Sequence, residues 1–157
     1  MNNGDKGLDN LIVWTKSVDL VQMIYREIIA TLPVDERWSL SQQLRRSSMS
    51  IPANIAEGYG RFYFQDNVRF CYIARGSLEE TYSHIRVAIQ LGYVTSDNAD
   101  NVIKAIDELK KILNGYIKFI KSSKQGENET VQYAAKSIRD AQSEFLETFD
   151  TEDLEKD

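Results

Sequence analysis

Five arginines are the residues of this chain whose type and surroundings point most directly to a ligand: Arg45, Arg46, Arg61, Arg69 and Arg75. Tyrosine and phenylalanine side chains between residues 59 and 72 are interleaved with Arg61 and Arg69 and come shortly before Arg75. Guanidinium groups beside stackable rings are how single-stranded nucleic acid is held by many proteins. We therefore treat the five arginines as candidate nucleic-acid contacts. The alternative is that they pair with neighbouring carboxylates on the surface of a helical protein.

The other reactive side chains do not combine into a catalytic, metal or cofactor site. His84 is the single histidine, and no nucleophile elbow near it would complete a Ser-His-acid triad. Glu80 precedes it by four residues, whereas di-metal bundles use pairs of Glu-x-x-His. The single cysteine, Cys71, excludes a disulfide framework and a usual zinc site, and we expect a buried thiol. The sequence thus predicts a protein that is not an enzyme and needs no cofactor.

Helical periodicity dominates the elements that would position these residues. In the first helix the apolar residues recur in steps of three and four, which lines one face: Trp14, Val18, Val21, Tyr25, Ile28 and Leu32. Pro33 ends this helix. A third helix extends to Gly92, and a fourth begins at the cap-forming cluster of residues 95–98 and ends at the breaker of residues 125–128.

The second helix carries an internal proline. It is predicted to start after residues 33–36, with Ser39 or Ser41 as its cap. Pro52 lacks an amide proton and its ring crowds the preceding turn, so we expect a kink or a break near residues 48–52. Gly58 and Gly60 would then end the helix in left-handed or tightly turned conformations.

Length and composition agree with one soluble domain. The 157 residues are 42% hydrophobic and 27% charged. The fold class is predicted to be all-α, an antiparallel up-down-up-down four-helix bundle over residues 1–124 with a C-terminal extension over 125–157. We expect the extension to be partly helical. It carries ten acidic and three basic residues, so it accounts for the negative net charge of −5 of the whole chain. No apolar run reaches the ~18–20 residues of a membrane helix, and the N-terminus lacks the layout of a secretion signal, so we expect a cytoplasmic protein without a membrane partner.

Two helices have more apolar positions than a bundle core requires, which is about three in seven. The surplus residues are Leu20, Ile24 and Ile29 in the first helix and Phe70, Ile73, Val87 and Ala88 in the third. Such a surplus would leave an apolar strip exposed on a monomer and therefore predicts self-association. Docking of a fifth helix from residues 131–149 is the competing explanation.

Three segments carry a resemblance to a known family: Leu11-Ile12-Val13-Trp14-Thr15-Lys16, Leu44-Arg45-Arg46-Ser47 and Ser50-Ile51-Pro52-Ala53-Asn54-Ile55-Ala56-Glu57-Gly58-Tyr59-Gly60-Arg61. Over about residues 8–123 the chain resembles the bacterial four-helix-bundle proteins first noticed as reading frames within intervening sequences of ribosomal RNA genes. The resemblance implies a homopentameric ring without catalytic residues. It also implies that Pro52, Asn54, Glu57, Gly58 and Gly60 are a structural signature of a kinked helix and turn.

The same resemblance extends to the accessory variability determinant of diversity-generating retroelements, which binds its reverse transcriptase and template RNA through a basic surface. We therefore expect a non-enzymatic, self-associating scaffold that serves a nucleoprotein such as a reverse transcriptase with its RNA. The alternative is a protein–protein assembly module with no nucleic-acid role. Residues 1–124 of this chain are nearly neutral, which would weaken salt-dependent binding to RNA. Its acidic extension could shield a basic face, dock on a neighbour's apolar strip or recruit another partner.

Overall fold

Four long helices form most of residues 7–127, the part of the chain that the computed structural model describes. They are α1 (Ile12–Met23), α2 (Leu40–Tyr59), α3 (Phe64–Gln90) and α4 (Ser96–Ser123). A π-helical turn (Ile24–Ile28) and a 3-10 turn (Ile29–Thr31) continue α1, and further 3-10 turns lie at Leu8–Asn10 and Val34–Trp38. No strand occurs in these residues, so the predicted all-α bundle class is confirmed. The predicted fifth helix and most of the acidic extension lie outside the described residues.

Most helix ends fall where the sequence places them. The turn that continues α1 stops at Thr31, two residues before Pro33. Gly92 follows α3 with a φ of 74°, a left-handed conformation that glycine adopts without strain. The Thr95 side chain accepts a hydrogen bond from the Asn98 amide at 3.2 Å and so caps α4, as predicted.

The cap of α2 differs from the prediction. Ser39 occupies the N-cap position, but its side chain makes no capping hydrogen bond, and Ser41 is buried inside the helix. The Leu40 amide instead donates to Oε2 of Glu36 at 3.1 Å. A carboxylate at this end also complements the helix dipole. That hydrogen bond lowers the pKa of Glu36, with a further contribution from the Tyr93 side chain.

The buried side of α1 matches the predicted stripe only in part, since Ile28 is fully buried but the other members of the stripe are not. Val13, Ser17, Leu20 and Ile24 are almost fully buried, whereas Trp14 and Val18 are only partly buried. Both stripes have helical spacing, so periodicity alone does not choose between them. Three residues counted as surplus, Leu20, Ile24 and Ile29, therefore belong to the core of their own chain.

Of the two alternatives predicted at Pro52, a kink or a break, the break is wrong, since α2 continues from Leu40 to Tyr59 with the proline inside it. Ile51, Pro52 and Ile55 are buried. Burial of such side chains contributes roughly 1.5–3 kcal/mol each, which offsets the roughly 3 kcal/mol cost of an internal proline. The hydroxyl groups of Ser47 and Ser48, in the turn before the proline, donate to the carbonyls of Leu44 and Arg45.

Hydroxyl groups join α2 to α3 along their length. The Thr81 hydroxyl donates to the Ser47 hydroxyl at 2.9 Å, and the Ser50 and Ser77 hydroxyls lie 2.9 Å apart. The paired numbers rise along one helix and fall along the other, so the two helices run in opposite directions. Asn54 completes this seam, because its amide donates to both the carbonyl and the hydroxyl of Ser50.

The two helices come close again at Gly58, which is neither left-handed nor the end of α2. A Cβ at this position would lie 2.8 Å from Oδ1 and 3.0 Å from the carbonyl oxygen of Asn67, and 3.0 Å from Cβ of Phe70. Gly60 follows the helix in a right-handed conformation, with φ of −74°. The prediction is therefore wrong at Gly58, whereas Gly60 ends the helix in the tightly turned conformation that was the other expectation. Gly58 serves the close contact with α3.

Replacement of Gly58→Ala should lower the free energy of unfolding by about 1–2 kcal/mol, because the added methyl group overpacks the contact with α3. Gly76→Ala is the matched control: Gly76 lies within α3, and a Cβ there would meet nothing within 4 Å. Its helix propensity should raise stability by about 0.5–1 kcal/mol. Urea denaturation followed by circular dichroism measures both variants, and equal stability of the two would contradict the close approach at Gly58.

Candidate functional site

The structure does not bring the five candidate arginines into one patch. Arg46 forms an ion pair with Glu80 of α3, and Arg61, in the loop after α2, forms one with Glu57 near the end of α2. The guanidinium of Arg45 lies 4.8 Å from the centre of the Tyr25 ring of α1. Arg46 and Arg61 are thus paired with carboxylates, which is the alternative to nucleic-acid contact given above. Together with Arg45 they do not form one basic patch.

Two cations meet at Tyr72. The Arg75 guanidinium lies 4.9 Å and the Lys121 Nζ 5.2 Å from the centre of its ring. Lys121 also donates to the Tyr72 hydroxyl at 2.6 Å, and Arg75 donates to Oδ1 of Asn114 at 3.2 Å. Among residues 7–127 neither cation has an ion pair with a carboxylate. Like charges that share one ring without a counter-charge attract an anion.

Arg69 extends this cluster along α3. It lines a shallow groove of about 410 Å³ together with Gln65, Val68, Tyr72 and Ile73. Ile73 leaves 44% of its surface exposed there. We call the surface formed by Gln65, Arg69, Tyr72, Ile73, Arg75 and Lys121 the Tyr72 face. It combines three cations with exposed apolar area.

Sequence reasoning identified Arg69 and Arg75 but not Lys121. The arginines are six residues apart on α3 and do not stack on one helical face. Lys121 is 49 residues from Tyr72 in the chain and reaches it only because α4 packs against α3. Local sequence carries no signal for that contact beyond the lysine-rich outer side of the fourth helix.

A second open surface lies between α1 and α2. This groove of about 320 Å³ has only apolar lining residues: Leu8, Trp14, Val18, Val21, Met49, Pro52, Ala53 and Ala56. Met49 leaves 51% of its surface exposed, and Ile12, at the start of α1, leaves 66%. We call it the α1/α2 groove. Trp14, Val18 and Val21, which line this groove, belong to the α1 stripe that periodicity assigned to the core. Of the surplus apolar residues, Ile73 and Val87 of α3 are exposed.

The five residues of the family signature have different structural roles. Pro52 lines the α1/α2 groove. Asn54 and Gly58 serve the contact of α2 with α3. Glu57 holds Arg61, and Gly60 follows the last turn of α2.

The side chains considered for catalysis or metal binding remain apart. Nε2 of His84 lies 3.6 Å from a carboxylate oxygen of Glu80, which also pairs with Arg46. No group of three histidine, cysteine or acidic side chains within residues 7–127 is placed to hold a metal ion. Cys71 is buried, its thiol donates to Oδ1 of Asn67, and burial raises the pKa of the thiol to about 11. The described helices are too short or too polar to span a membrane.

Residues 7–127 form an all-α bundle that carries the apolar α1/α2 groove and the cationic Tyr72 face. A family model described as 23S rRNA-intervening sequence protein matches residues 9–115, so the chain belongs to that family. It is also similar to the crystal structure of a protein of unknown function from the S23 ribosomal protein family of Bacteroides thetaiotaomicron. That comparison has 26% identity and a TM-score of 0.63, and it covers 71% of this chain and 99% of the other. No curated protein matches the chain.

Proposed function

We propose that the protein is a non-enzymatic scaffold that assembles with copies of itself through the α1/α2 groove. The observation that carries this proposal is a concave surface with no polar lining residue, beside the exposed side chains of Met49 and Ile12. Apolar surface of this kind on a soluble chain marks an interaction site. Burial of apolar area contributes about 25 cal/mol per Å², so covering such a surface favours assembly.

The second copy supplies apolar residues from elsewhere on its surface. Val34 and Trp38, in the connection between α1 and α2, expose 84% and 78% of their surfaces and do not line the groove. A contact between different patches of two identical chains is head-to-tail, and such contacts generate a ring when the rotation closes. This arrangement agrees with the pentameric ring implied by the family resemblance.

A charge in the α1/α2 groove should dissociate the assembly. Met49→Lys and Val18→Lys should each lower the mass measured by light scattering after size exclusion, from a multiple of the chain mass to that of one chain. Phe119→Lys is the control, because Phe119 exposes 67% of its surface on α4 and does not line the groove. Circular dichroism verifies that each variant keeps its helices. A wild-type protein that is monomeric, or groove variants that keep the wild-type mass, would contradict the proposal.

A nucleic-acid role is the second candidate, and the Tyr72 face favours it. Arg75 and Lys121 flank an aromatic ring without a carboxylate partner among residues 7–127, and Arg69 extends the same surface. Phosphates would contact these cations, and an unpaired base could stack on Tyr72. In this form the scaffold serves a nucleoprotein, such as a reverse transcriptase with its RNA. A module that only assembles proteins would leave this face without a nucleic-acid ligand.

The salt dependence of RNA binding distinguishes these two forms. A filter-binding titration with an RNA hairpin between 50 and 200 mM salt should show affinity that falls with salt. The double variant Arg75→Gln, Lys121→Gln should reduce the slope of log K against log salt by about 1.5, since each phosphate contact contributes about 0.7–0.9.

The matched control is Lys16→Gln, Lys104→Gln, because those lysines already pair with Glu108 and Asp100 and lie away from the Tyr72 face. This control should keep the wild-type slope. No binding at low salt, by the full chain or by a chain that lacks residues 128–157, would exclude the nucleic-acid role and leave the assembly module.

A further inference from the structure

The end of the described chain is fixed beside the Tyr72 face. After α4, Lys124 adopts a left-handed conformation with φ of 50°, and the Phe64 amide at the start of α3 donates to the Gln125 carbonyl at 3.1 Å. Gly126 lies against the Tyr63 ring so closely that a Cβ would be 2.5 Å from Cδ1. Gln125 and Gly126, near the end of the described chain, therefore lie next to the first turn of α3. Gln65, the first residue of the Tyr72 face, belongs to that turn.

The Tyr72 face requires an occupant with two kinds of group. Its three cations, Arg69, Arg75 and Lys121, have no ion pair with a carboxylate among residues 7–127. The Tyr72 ring, which exposes 39% of its surface, lies against Arg75 and Lys121, and the exposed part of Ile73 lines the groove beside Arg69. Carboxylates would neutralise the cations, and apolar side chains would cover Ile73 and the ring.

The segment of residues 128–157 has this chemistry. It contains nine acidic and three basic residues, and between residues 131 and 149 it carries apolar side chains at helical spacing: Val131, Ala135, Ile138, Phe145 and Phe149. From Gln65 to Arg75 the face spans ten residues of α3, about 15 Å at 1.5 Å per residue. Thirty residues can cover that distance even when they are wholly helical. Attachment at residue 127 also gives the segment a high effective concentration at this face.

We propose that residues 128–157 dock on the Tyr72 face of their own chain. Their carboxylates pair with Arg69, Arg75 and Lys121, and their apolar side chains cover Ile73. The docked segment occupies the same cations that a polyanion would contact. The α1/α2 groove is a poorer site for this segment, because it presents no cation to nine carboxylates. This inference does not depend on RNA being the ligand of the face.

Photo-crosslinking in the full-length chain identifies the occupant without assuming it. With p-benzoylphenylalanine in place of Ile73, irradiation should join position 73 to peptides from residues 128–157, as read by mass spectrometry. The product should migrate as a single chain on a denaturing gel. Val87 is the matched control position, since it lies on the same helix, has the same 44% exposure and is outside the face. It should yield little or no such product.

Charge reversal tests the ion pairs in the same assay. The double variant Arg75→Glu, Lys121→Glu in the Ile73-labelled chain should lower the crosslink yield at least about fivefold, whereas the control Lys16→Glu, Lys104→Glu should leave it unchanged.

The proposal is overturned if position 73 gives no product with residues 128–157, if positions 73 and 87 give equal yields, or if charge reversal at the face has no effect. It is also overturned if the product appears only at the mass of two chains, which would assign the segment to a neighbouring copy. None of these readouts involves RNA or the mass of the assembly, so their failure is distinct from failure of the proposed scaffold.

Discussion

The close packing of α2 against α3 is the constraint on which the remaining arrangement depends. Small side chains let the two backbones approach, and hydroxyl groups at Ser47 and Ser50 meet those at Thr81 and Ser77. Hydrogen bonds are directional, so they fix the register in a way that apolar contact alone does not. Gly58 continues the same contact towards the start of α3. With this register set, α2 presents Pro52 to the α1/α2 groove and α3 carries Tyr72 on an outer face.

The two open surfaces differ in chemistry, and the difference suits a scaffold. The α1/α2 groove is apolar and without charge, so a second copy of the chain can cover it at little cost in desolvation. The Tyr72 face holds cations around a ring, which suits an anionic ligand. An assembly that uses the first surface between its subunits would display the second once per subunit. Repeated display raises avidity for a long polyanion without any new contact.

Much of the fold could be predicted because its signals are local. Helical periodicity defines four helices, and Pro33, Gly92 and Thr95 mark their ends by their own conformational limits. The sequence did not show which residues of α1 would be most deeply buried, since two adjacent stripes are both apolar and only Ile28 of the predicted stripe is fully buried. The role of Gly58 and the contact of Lys121 with Tyr72 depend on residues of another helix. The residue types in the sequence therefore predict arginine surfaces and self-association, but only the packing identifies which residues form each surface.

The most direct test of this account is a double-mutant cycle across the α2–α3 seam, with Ser47→Ala, Thr81→Val and their combination. The free energy of unfolding is measured by urea denaturation at one fixed protein concentration. The account predicts that the two substitutions are coupled by about 1 kcal/mol, because either one alone removes the hydrogen bond between the hydroxyl groups. Strictly additive effects of the two substitutions would contradict the claim that this seam sets the register of the bundle.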